Sequence, residues 1–149
     1  MKALAYALLL LLLLAGGAWW RQHERDPGDA LVLPAATGCD AARTLCSVAR
    51  GPVRLALRLD PGARPLLPFG LELRVRTPQP VQSVTVDFRM AGMDMGRNRY
   101  RLQPAGPGRW RARVRLPVCL SGRSDWRAKV RVRTRARSYL GSFALRLGR

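Results

Sequence analysis

From Val53 onward, apolar and polar residues alternate with a period of two. Successive side chains of a strand point to opposite faces, so this pattern specifies half-buried β-strands and does not fit a helix. Val53, Leu55, Leu57 and Leu59 share one face until Asp60-Pro61-Gly62 stops the run. Leu71, Leu73 and Val75 follow a proline-rich connection, and Pro78 and Pro80 break that strand. Val84, Val86, Phe88 and Met90 form the next. A short strand around Tyr100 and Leu102, one through Trp110, one through Trp126 and a last through Phe143, Leu145 and Leu147 complete the series. Turn residues stand at nearly every join, and no amphipathic helix interrupts. The pattern predicts an all-β domain, an immunoglobulin- or fibronectin-like β-sandwich of about seven strands. Its predicted inward set is Leu55, Leu57, Leu73, Val84, Val86 and Phe88, with Trp110, Val114, Trp126, Val130 and Leu145.

The beginning of the 149-residue chain does not belong to this pattern. Residues 3–20 are an unbroken apolar run behind Lys2, ending in Trp19 and Trp20. That order is the one found in export signals, and the run is long enough to cross a bilayer as a hydrophobic helix. The bulky tryptophans favour a retained signal anchor over residues 1–20, with cleavage as a signal peptide after Gly17 as the alternative. Residues 21–38 carry no periodicity and read as a tether, leaving residues 39–149 for one modest domain. Arg21 and Arg25 follow the span, so charge bias alone does not orient it; the signal-like layout predicts export.

A formal net charge of +18 ordinarily points to nucleic acid. Here the charges are arranged differently. Arg109, Arg111, Arg113 and Arg115 alternate with apolar residues, as do Arg127, Lys129, Arg131 and Arg133. These rows are the solvent faces of strands, and an exported domain meets no chromosome. No nucleic-acid partner is expected.

Catalysis is not expected either. His23, in the tether, is the only histidine, so the body can build no Ser-His or Cys-His pair and no histidine zinc site. The nine carboxylates are scattered, and no glycine-rich phosphate loop exists. What stands out is Met90-Ala91-Gly92-Met93-Asp94-Met95-Gly96, which holds every methionine but the initiator. Thioethers are soft, neutral ligands suited to Cu(I), and the glycines let the backbone turn tightly. Met90 continues the inward parity of Val86 and Phe88 and is expected to be at least partly core. If consecutive strands run antiparallel, the connections 60–70, 91–96 and 117–124 share one end of the fold. Cys119 then faces the methionines, and Met90, Met93, Met95 and Cys119 are the candidate metal ligands. Of three cysteines, Cys39 and Cys46 are close in sequence and fall at the opposite end by the same parity. A local Cys39–Cys46 disulfide is expected; the alternative, Cys46 with Cys119, would remove the thiol ligand.

The stretch Asp87-Phe88-Arg89-Met90-Ala91-Gly92-Met93-Asp94-Met95-Gly96-Arg97-Asn98-Arg99-Tyr100, with Leu116-Pro117-Val118-Cys119, Gly122-Arg123 and Trp126, resembles a family of small membrane-tethered bacterial periplasmic proteins. The resemblance covers most of residues 39–134. The chain is also loosely similar to FixH/YtkA-like domains, through its architecture and its Met-Gly loop, although it has no histidine beside the methionines. These resemblances imply a single-pass inner-membrane protein with its domain in the periplasm. They also imply a role in handling Cu(I), with a protein partner in copper delivery or oxidase assembly. The competing expectation is a structural or interaction module whose methionine loop docks a partner protein.

Overall fold

The computed structural model describes Gly16 and residues 30–148. Nine strands lie among them: β1 Ala30–Val32, β2 Cys46–Arg50, β3 Val53–Leu59, β4 Phe69–Arg76, β5 Val81–Arg89, β6 Arg99–Pro104, β7 Arg109–Val114, β8 Asp125–Thr134 and β9 Ser138–Arg146. The expected anchor, the first part of the tether and His23 fall outside the described residues, Gly16 apart. Among the described residues no helix is long and apolar enough to cross a membrane.

The last seven strands are those that the alternation predicts. The other two escape it for physical reasons. β1 is three residues long, too short to show a period, and it rests on pairing with β9 within the stretch read as tether. β2 is five residues with two buried positions, joined to β3 by a two-residue Gly51-Pro52 turn. Its presence reverses the parity of everything before it. Cys46 therefore pairs in register with Leu57 and lies at the same end of the fold as the candidate site, not at the opposite end.

The strands form one mixed sheet in the order β1-β9-β8-β5-β6-β7-β4-β3-β2, antiparallel except for β1 on β9. The sheet curls because β6 holds its two neighbours differently. Residues 99–102 pair with β5, whereas only Gln103 and Pro104 pair with β7. Where β6 and β7 splay apart, the Tyr100 hydroxyl bridges the gap by donating to the Arg115 carbonyl. The curl brings the two ends of the sheet across one core. A Cβ on Gly141 of β9 would lie 3.0 Å from Leu55 Cδ1 and 3.3 Å from Val48 Cγ2, so β9 packs directly over β2 and β3. Ala41 closes the seam: its N–H donates to the Ala144 carbonyl and its own carbonyl accepts from Leu59, both at 2.9 Å.

Of the predicted inward set, all are buried except Trp110, which is half-buried against the core. Trp110 sits on β7 opposite Pro104, the last residue of β6. The arginines of β7 face solvent as expected. Arg111 is nonetheless engaged: its Nε and Nη2 donate to Glu72 Oε2 at 3.0 and 2.6 Å.

Candidate functional site

Three connections meet at the end of the sheet where β3, β5 and β7 finish. The Leu66 N–H donates to the Leu116 carbonyl at 2.9 Å, tying the β3–β4 connection to the β7–β8 connection. Arg123 Nη1 donates to the Ala91 carbonyl at 2.9 Å, tying the latter to the methionine loop. The antiparallel parity argument thus holds for β3 onward.

The methionine loop is built by local chemistry. Met90 is buried and makes an isolated bridge with Met93, whose N–H donates back to the Met90 carbonyl at 3.3 Å. Gly92 at φ 71° supplies the left-handed residue that this turn requires. Asp94 turns inward on its own loop, its Oδ1 accepting from the Gly96 N–H at 2.9 Å. Buried Asn98 then pins the loop. Its Nδ2 donates to the Met95 carbonyl at 2.8 Å, while its own carbonyl accepts from Phe88 N–H at 3.0 Å.

Opposite lies a β-turn over residues 119–122, closed by Gly122 N–H to the Cys119 carbonyl at 3.0 Å. It places the buried, free Cys119 thiol against the methionine loop. Cys119 Sγ is 3.2 Å from Met93 Sδ and 3.0 Å from Ser121 Oγ, and Ser121 Oγ is 3.7 Å from Met93 Sδ. Two sulfurs and a hydroxyl therefore converge. The Ser121 hydroxyl holds the thiol below its ordinary range, helped by the amides of Ser121 and Arg123 and by the Arg123 charge; burial opposes them. Arg123 is itself fixed by Asp125, with Nε to Oδ1 at 2.9 Å and Nη2 to Oδ2 at 2.5 Å.

The four candidate ligands thus fare differently. Met93 and Cys119 come together. Met95 is half-buried on the same loop and packs against the core, and Met90 is a core residue. Cys39 and Cys46 form the local disulfide, with Cα atoms 5.8 Å apart, which leaves Cys119 its thiol. Ser121, Arg123 and Asn98 were not among the candidates. Among the described residues no three or more His, Cys, Asp or Glu gather in one place, so a metal held here would draw on methionine sulfur. Two of the three connections that meet at this end also carry exposed apolar side chains, Leu66 and Leu67 in one and Val118 and Leu120 in the other, the last wholly exposed in the 119–122 turn.

Comparison with protein-family models, curated proteins and solved structures yields no match.

Proposed function

We propose that this is an exported, non-enzymatic domain that binds or relays Cu(I) at Met93 and Cys119, tethered to the inner membrane by its N-terminal segment. The observation that carries the reading is the 3.2 Å approach of the Cys119 and Met93 sulfurs. The donor set suits the ion. A thioether and a thiol primed to ionise are soft ligands, and the Asp94 carboxylate on the same loop is engaged by the Gly96 N–H. Met95, on the same loop, is the third sulfur. The Cys119 thiol lies in hydrogen-bonding reach of the Met93 sulfur; Cu(I) binding would release its proton, and the thiolate charge would offset that of the cation. The curled sheet supports reading the fold as an immunoglobulin- or fibronectin-like sandwich that presents its loops at one end. Delivery to a metalloenzyme such as an oxidase is the role we assign.

A second reading has an observation of its own. Leu66, Leu67, Val118 and Leu120 make this end a docking surface for a protein partner with or without metal. Titration of Cu(I) into the full chain against a competing chelator separates the two. The account expects the chain to withdraw Cu(I), and Met93→Leu or Cys119→Ser to lose at least about tenfold in affinity, one ligand's share. A chain that never competes, or variants that bind as the parent does, would leave the docking surface as the function.

A further inference from the structure

The outward face of β5, β6 and β8 and the methionine loop at its end border one trough of about 1240 Å³, lined on the strands by Ser83, Thr85 and Asp87 and by the basic residues on either side of them. Register dictates its layout. Thr85 lies on β5 between Arg101 of β6 and Arg131 of β8, directly opposite both. Ser83 stands two residues along, opposite Arg133. In the other direction Asp87 lies between Arg99 and Lys129, and its carboxylate takes Arg89 at 2.8 Å and Arg99 at 3.8 Å. Asp87 thus neutralises the part of the trough nearest the methionine loop. The cationic part is centred on Thr85 and Ser83, where Arg101 and Arg133 have no carboxylate partner among the described residues.

We infer that this trough is a binding site for a soluble oligophosphate. Arg101 and Arg131 flank Thr85 from the strands on either side of β5, roughly 9–10 Å apart. A phosphate seated over Thr85 would take a donor from its hydroxyl as well as from the arginine on each side. That geometry fits a tetrahedral oxyanion better than a planar carboxylate, which a single guanidinium already satisfies. The Ser83–Arg133 row, roughly 7 Å along the strand, seats a second phosphate of the same ligand. A single-stranded nucleic acid would need exposed aromatic platforms, and the one aromatic side chain along the trough, Phe88, belongs to the core. A bilayer presents its phosphates on a flat surface, whereas here they must enter a concavity. Met93 lines the far end of the same trough; the Thr85 and Ser83 rows lie on the other side of Asp87 from it and do not depend on copper binding.

Calorimetric titration of the full chain with sodium tripolyphosphate at about 0.15 M salt tests this, because loosely screened surface attraction fades there. Saturable one-to-one binding is expected, weakened at least about tenfold in Arg101→Gln/Arg131→Gln and about tenfold in Thr85→Val, which removes a charge-assisted hydrogen bond. Arg54→Gln/Arg76→Gln removes the same charge from a facing pair on β3 and β4 and should change affinity less than about twofold. Thr85→Val alters no charge and keeps the test decisive if the double variant melts early. Equal losses in the two double variants, citrate binding as tightly as tripolyphosphate, or binding only to phosphatidylglycerol vesicles would each overturn the inference.

Discussion

Glu72 is an outward-facing residue of β4 that is nevertheless buried, because Arg111, Arg74 and Arg58 surround it at 2.6, 3.1 and 3.8 Å. The Arg111 guanidinium above all, with Arg74 and Arg58, holds its carboxyl below the ordinary carboxylate range against the opposing effect of burial. A carboxylate whose folded pKa is depressed stabilises the fold above its unfolded pKa, and that contribution disappears as pH falls through the folded value. Glu72→Gln should therefore cost about 1–2 kcal/mol at neutral pH, with the arginines partly screened by solvent, and progressively less in acid. Denaturant melts across the acid range check this; a deficit that does not shrink in acid would contradict it. Arg111 accordingly departs from the arginine rows as the alternation presents them. Period two places it correctly in solvent, but nothing in the spacing reveals that it closes on a carboxylate of a strand 39 residues away. Arg111→Glu should lose about 1–3 kcal/mol by setting two carboxylates together, whereas Arg113→Glu on the same exposed face should stay within about 0.5 kcal/mol.

At the scale of elements, the site rests on two loops that have no regular structure of their own. Asn98 holds the first through Met95 and, by its main chain, to Phe88 at the end of β5. Asn98→Ala would leave the Met95 carbonyl without its donor and should cost about 1–3 kcal/mol. It should also raise hydrogen exchange at residues 91–97 above that of β5; uniform exchange along both would show that the loop is held by other contacts. Much of this arrangement is legible in the chain. Strand parity places Cys119 at the methionine end, and the two glycines mark the turn. Asn98, Ser121 and Arg123 are not legible, because a polar residue within two positions of a glycine already has a local explanation in turn formation. Nor are β1 and β2, whose pairing with β9 and β3 is visible only once those strands exist.

For the whole molecule, the curl lets one core serve a sheet of nine strands, and Gly141 marks how closely its ends approach. Gly141→Ala places a methyl 3.0 Å from Leu55 Cδ1 and should cost about 1–3 kcal/mol in thermal or denaturant melts, with a neutral result implying a looser core. The pairing of β8 with β5 sets the end of β5 beside the start of β8 and so brings together the loops carrying Met93 and Cys119, and the copper account stands on the sheet's topology as much as on two residues. Its pH dependence follows from the lowered thiol. Each proton released on binding makes Cu(I) affinity fall about tenfold per pH unit below the folded thiol's pKa, and the fall should begin at lower pH than for an ordinary cysteine. Cys119→Ser should be weaker and nearly flat with pH. The most direct measurement is X-ray absorption at the copper edge of the full chain loaded with one equivalent of Cu(I). The account predicts a shell of sulfur scatterers alone, reduced in number in Cys119→Ser and again in Met93→Leu; a nitrogen or oxygen shell unchanged by either substitution would contradict it.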